Sequence, residues 1–342
     1  MNSVDGLKLP ARLYGLRMGG LALLGALLAG VCAMALGAGA IRIPVLDVLA
    51  GVNSGLESTV FFQIRAPRVL LAGVVGAALA VAGASLQGLF RNPLADPGLI
   101  GVSSGGALGA VSMIVMAPAL AGAGAAYALP LSAIAGSLAV TAFLYAFASR
   151  FGHFSVVTIL LVGIALNALA NVGIGLFQYL SDDAALRTLT FWMMGSFGSA
   201  AWTTVLPAVA LMAMAAVPLL RQGRELDLLQ LGEPEAFHLG VDVRRTKRRV
   251  ILCSAVTVGA GVAVSGIIAF IGLVVPHLTR LAIGPNHRYL LAGSALLGAA
   301  LAMLADTVAR TLATPAEIPV SLITSALGAP FFLWLISRVR PK

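Results

Sequence analysis

The sequence predicts an all-α, polytopic membrane protein of about ten transmembrane helices with both termini cytoplasmic. Three observations predict it. Of the 342 residues, 59% are apolar and only 10% charged, whereas a soluble chain carries about 25% charged residues to face water. The apolar residues fall in long runs separated by short polar breaks. The basic residues are distributed unevenly between alternate breaks. A hydrocarbon core about 30 Å thick takes about 20 apolar helical residues per crossing, so this length holds about ten crossings and leaves no stretch for a soluble core.

The first run, 18–40, follows Lys8, Arg12 and Arg17. It exceeds the ~7–15 residues of a secretory h-region, so it reads as a retained span. The next four, 68–89, 98–116, 128–149 and 154–176, are bounded by Arg91 with Pro93, by a proline-bearing break and by Arg150. The sixth, 190–219, closes at Arg221. The seventh and eighth, 250–266 and 267–283, are divided only at Ser265 and Gly266. The last two are 289–310 and 321–337. All belong to a single transmembrane domain, 1–342, with 221–249 as a cytoplasmic segment inside it. Gly101, Gly105 and Gly109 form a small-residue ladder of the kind that lets helices approach closely in lipid.

With the N-terminus inside, the outer segments hold only Arg42, Arg65, Arg68, Arg187 and Arg310 of the 22 lysines and arginines. Reversing the chain inverts that bias, so the positive-inside rule fixes the orientation. The same rule absorbs the net charge of +9 without any nucleic-acid partner; lipid is the expected surround. Cys32 and Cys253, each inside an apolar run, read as packing residues.

Residues 76–83 (GAALAVAG) and 259–266 (GAGVAVSG) repeat, and Pro93 and Pro276 share their offset. They fall on spans two and seven, which cross in opposite directions, as in inverted-repeat transporters.

The chain lacks its own energy source. A P-loop needs G-x-x-x-x-G-K-[ST], and none of Lys8, Lys247 and Lys342 follows a glycine. An ion-coupled carrier needs ionisable groups deep in its spans, but Asp306 is the only acid in one, near its outer end. His153, His238, His277 and His287 fall at or near the cytoplasmic side. An external motor then needs a docking surface. Residues 221–249 form the one long cytoplasmic segment and read as two short helices, with Pro234 opening the second and Gly240 closing it. Leu231, Phe237 and Leu239 are expected to face a partner; the alternative is an amphipathic loop resting on lipid.

Residues 65–110 (RAPRVLLAGVVGAALAVAGASLQGLFRNPLADPGLIGVSSGGALGA), 231–245 (LGEPEAFHLGVDVRR), 268–280 (IAFIGLVVPHLTR) and 315–335 (PAEIPVSLITSALGAPFFLWL) resemble, in order, the motifs of FecCD/BtuC-type permeases. The resemblance covers nearly the whole chain. It implies a type II ABC importer permease, a homodimer served by two copies of a separate ATPase and by a periplasmic substrate-binding protein. No cofactor is expected in this chain, since ATP and Mg belong to the ATPase, and the chain is not itself an enzyme.

By position, the resemblance assigns Glu233, Pro234, Glu235, Ala236, Phe237, Leu239 and Gly240 to ATPase coupling. It assigns Arg65, Arg68 and Arg310 to docking of the binding protein, where charge complementarity steers association; the alternative is pairing with Glu57, Asp306 or lipid phosphate. Ile164, Leu166, Asn167, Asn171 and Leu322, on the fifth and tenth spans, are expected on the translocation pathway. Asn167 and Asn171 equally suit hydrogen bonding between helices. Residues 179–198 resemble the heme permeases more than the siderophore permeases. That points to heme as substrate in the bacterial inner membrane, with ferric siderophore and cobalamin as alternatives. Trp192 is expected as an interfacial anchor. No histidine is expected outside, so there is no evident axial His ligand for iron. Tyr179, Met193 and Met194 are able to ligate it, although methionines in a span usually serve packing.

Overall fold

A computed structural model describes residues 5–39, 43–51, 55–116, 125–150, 156–314 and 316–338. Arg42, His153, Pro315, Arg340 and Lys342 lie outside them. The helices are α1 (Asp5–Gly37), α2 (Val45–Leu49), α3 (Gly55–Thr59), α4 (Ala66–Phe90), α5 (Val102–Met116), α6 (Ala125–Arg150), α7 (Val156–Leu180) and α8 (Asp183–Met193). They continue with α9 (Trp202–Leu220), α10 (Gly223–Leu229), α11 (Glu233–His238), α12 (Val243–Ser265), α13 (Ile271–Ile283), α14 (His287–Thr311) and α15 (Val320–Arg338). A π-helical turn, Val60–Arg65, leads into α4, and a 3-10 turn, Pro97–Ile100, leads towards α5.

Among the described residues, seven helices are long and apolar enough to cross a membrane, and α5, α13 and Val320–Leu335 are shorter apolar helices. Together they occupy the ten expected segments. The bundle is built round α4, which is buried from Leu71 to Phe90 with only brief exceptions. Its glycines and alanines make this possible. A Cβ on Gly76 would run into the Gly298 carbonyl of α14, and one on Gly83 into the Gly272 backbone of α13. In lipid, close backbone approach of this kind takes the place of a hydrophobic driving force.

The repeat segments fall on α4 and α12. Arg68 at the start of α4 and Ser265 at the end of α12 both meet the turn Gly195–Gly198: Ser196 N donates to Ser265 O, and a Cβ on Gly198 would lie 3.6 Å from Arg68 Nη1. The two helices therefore run in opposite directions, as the offset predicts. Arg17 of α1 lies over the Tyr289 ring at the start of α14, 5.3 Å from its centroid. That places the start of α1 at the end of the bundle where α10 and α11 sit.

Two segments depart from the expected spans. The sixth begins at Trp202 rather than 190, because 183–193 forms the separate amphipathic helix α8, capped by Asp182, which accepts from Ala185 N. Trp192 lies on α8 and packs half-buried against the core of the bundle. Between α12 and α13 the backbone is irregular from Gly266 (φ 68°) to Phe270. Irregular backbone at membrane depth must be satisfied within the protein. Ser321 of α15 does this, donating to Ile267 O and accepting from Ala269 N.

Candidate functional site

At the cytoplasmic end, α10 and α11 form the exposed segment expected between the sixth and seventh spans. Gly240, at φ 87°, closes α11 in the left-handed conformation that glycine tolerates. Leu231 (62% exposed), Phe237 (67%) and Leu239 (52%) form an apolar patch beside exposed Pro234 and Glu235. Two of the expected coupling residues are engaged within the chain. Ala236 is buried, and Glu233 pairs with the buried Lys247 of α12, Nζ to carboxylate 2.7 Å. The patch therefore belongs to the apolar residues, while Glu233 fixes α11 to α12.

Behind the patch lies a contact that the sequence did not disclose. Leu226 and Leu229 of α10 are buried. Asp227 accepts from His287 N at 2.8 Å and meets His287 Nδ1 at 2.8 Å. Gln230 Nε2 donates to Gly88 O at the end of α4. No residue spacing links positions 227 and 287, so only the fold could bring them together.

On α7, Ile164 and Asn171 are exposed, as is Leu322 on α15. Leu166 and Asn167 are engaged within the chain. Leu166 is buried, and Asn167 donates to Gly98 O and pairs with Ser104. Residues two apart on a helix lie about 200° apart, so Ile164 and Leu166 face opposite sides. Asn167 takes the interhelical hydrogen-bonding alternative. The exposed face runs on through Leu161, Ala168 and Val172 to Tyr179.

At the outer end, the three arginines expected to meet a soluble partner are turned inward instead. Arg68 is 7% exposed. Its Nε and Nη2 donate to Asp306 at 2.8–3.0 Å, and its Nη1 and Nη2 to Glu317 at 2.8 and 3.0 Å. Arg65 Nη1 donates to Leu36 O and Gly37 O. Arg310 donates to Ala35 O and approaches Asp306 at 3.7 Å. The pairing with Asp306, the alternative the sequence left open, is what the structure adopts. The reason is local: Arg68 and Asp306 lie level on the tightly packed, antiparallel α4 and α14, where an unpaired charge would be costly. The hydrogen bonds from Arg68 hold the Glu317 carboxyl below its usual range, against the opposing effect of burial. Glu317 precedes α15, so the cluster ties α1, α4, α14 and the entry to α15 together. Among the described residues, no group of three or more His, Cys, Asp and Glu side chains is placed to hold a metal.

The model of the FecCD transport family matches residues 26–338. The chain is 54% identical over 283 residues to the hemin transport system permease HmuU of Yersinia pestis, covering 83% of this chain and 84% of that one. It is 44% identical over 285 residues to the vitamin B12 import permease BtuC of Vibrio parahaemolyticus, covering 83% and 85%. Among solved structures, a metal-chelate type ABC transporter in an inward-facing conformation superposes with a TM-score of 0.83 at 36% identity, covering 96% of this chain and all of that one.

Proposed function

The chain belongs to the FecCD transport family as a multi-pass ABC transporter permease, and from that premise we propose that it is the membrane-spanning subunit of a bacterial inner-membrane hemin importer. The observation that carries the substrate is the 54% identity, over most of both chains, to a hemin permease. The lining agrees with it: the exposed face of α7 is apolar from Leu161 to Leu176, broken mainly by Asn171, and suits a flat apolar ring system. Cobalamin is the second reading, favoured by the 44% identity to a B12 permease, and ferric siderophore the third. A secondary transporter fits less well, because Asp306 is held between Arg68 and Arg310 rather than standing open to a coupling ion.

In this reading two copies of the chain enclose a pathway between their α7 and α15 faces, carrying Ile164, Asn171 and Leu322. Two ATPase subunits, which hold ATP and Mg, dock on Leu231, Pro234, Glu235, Phe237, Leu239 and Gly240. ATP binding moves these helices and opens the pathway to one side at a time. A periplasmic binding protein delivers the substrate. It lands on the rim that Arg65, Arg68 and Arg310 brace from beneath, not on those guanidinium groups themselves. The test is uptake into proteoliposomes holding the chain and its ATPase, with hemin, cobalamin and a ferric siderophore each offered on a matching binding protein. ATP-dependent uptake of hemin alone is expected. Uptake of cobalamin or siderophore instead overturns the substrate, and uptake of none overturns the importer reading.

A further inference from the structure

We propose that Asp227 and His287 form the joint through which motion of the docking segment reaches the membrane helices, an inference that rests on the importer reading above. The first N–H groups of a helix have no partner within it and need one from outside. At the start of α14 the preceding residue, Asn286, makes no side-chain cap bond. Asp227, from α10, supplies the acceptor instead, taking the His287 N–H at 2.8 Å while holding the His287 ring through Nδ1 at 2.8 Å. A carboxylate at a helix N-terminus is also favoured by the helix dipole. The docking segment is thus the cap of a membrane helix sixty residues further along the chain.

The ring of His287 lies directly on Gly88, the last glycine of α4, where an added Cβ would stand 2.5 Å from Nε2. Gln230 grips the same turn through Gly88 O at 2.8 Å. Neighbouring Gln87 accepts from Arg280 Nη2 of α13 at 2.8 Å, and His277, one turn before Arg280, stacks edge-on against Phe331 of α15 with centroids 5.7 Å apart. A continuous line of contacts therefore joins the exposed patch to the pathway helix α15. Its first link is a charge-assisted hydrogen bond between two side chains. Unlike the Glu233–Lys247 pair, which joins α11 to the helix that follows it directly, it reaches a helix distant in the chain. Asp227 and His287 are positioning residues: they touch neither substrate nor nucleotide.

Two substitutions separate a joint from a mere anchor. His287→Leu removes the Nδ1–H donor, and His287→Asn restores one near the same place, since the Asn amide nitrogen mimics Nδ1. The readout is substrate imported per ATP hydrolysed by the permease–ATPase complex in proteoliposomes, using hemin, or cobalamin where the panel above selects it. Coupling between sites commonly spans about 5–150-fold. His287→Leu should therefore lower the ratio by about fivefold or more while the ATPase stays bound and active, and His287→Asn should restore most of it. An unchanged ratio in His287→Leu overturns the joint, as does proportional loss of hydrolysis and uptake with no rescue by His287→Asn. If His287→Leu does not assemble, Asp227→Asn, of nearly the same size, is read by the same ratio and the same outcomes decide. Failure of the unaltered complex to import anything overturns the importer reading and this inference with it. A working unaltered complex with an undisturbed variant removes only this inference.

Discussion

At the outer end of the bundle a cation sits where an apolar residue is expected: Arg68 is buried between α4 and α14 and saturated by Asp306 and Glu317. At the cytoplasmic end the reverse holds, and Phe237 and Leu239 stand in water where polar residues are expected. Each is a residue type out of place for its environment. The outer one is resolved within the chain and the inner one is not. An unresolved apolar patch on a polar segment marks a surface that something else covers, whereas a resolved buried charge marks a part of the scaffold. The two ends should therefore respond in opposite ways to substitution.

The largest effect is expected at Arg68. Removing one partner of a buried ion pair leaves the other charge uncompensated, at about 3–5 kcal/mol. Arg68→Leu should lower the stability of the detergent-solubilised protein by that order, measured by thermal unfolding. Replacing both Arg68 and Asp306 with Leu should recover much of it, because the stranded carboxylate goes too. A single variant as stable as the unaltered protein would show that the outer cluster is no scaffold and would erase the contrast between the ends.

Leu239→Asp should do the opposite. Leu239 is exposed at the C-terminal cap of the short helix α11, where an acid opposes the helix dipole by about 0.3–1 kcal/mol. Unfolding should therefore shift only slightly while ATP hydrolysis no longer drives uptake. Normal coupled uptake by this variant would remove the docking assignment. A large loss of stability would show that the patch is packed inside the protein.

How far the sequence could see follows from the same contrast. The ten spans, their orientation and the inverted repeat were legible because they rest on long-range averages: run length, basic-residue bias and a shared offset. The exposure of Leu231, Phe237 and Leu239 was legible because α11 is short and its amphipathicity is local. The direction of Arg68 was not. Sequence locates it at a helix start on the outer side, but only packing shows that Asp306, more than two hundred residues away, is level with it. The burial of Leu166 was not legible because the span was treated as a whole, although Ile164 and Leu166 cannot share one helix face. Gly163 fixes which face turns inward, since any Cβ there would strike the Leu99 carbonyl. Asp227 and His287 left no local mark, because one lies within a short cytoplasmic helix and the other at the first turn of a span, and neither position calls for a partner by spacing.

The smallest effect is a pH dependence that divides the outer cluster itself. The Glu317 side chain is about half exposed, unlike that of Asp306, so its bond to Arg68 is screened and contributes at most about 1 kcal/mol. Its carboxyl is held below the usual range by Arg68. A folded-state pKa below the unfolded value, about 4.3 for Glu, means that the folded state binds the proton less readily. The stabilisation is complete above the unfolded value and is lost as pH falls through the folded one. Unfolding temperature should therefore decline more steeply below about pH 4.3 in the unaltered protein than in Glu317→Gln, with the two curves converging at the acid end. Parallel curves would mean that Arg68 serves Asp306 alone and that the entry to α15 is held by packing. Converging curves would make Glu317 the adjustable side of the outer clamp, weak enough to be released where the Arg68–Asp306 bond is not.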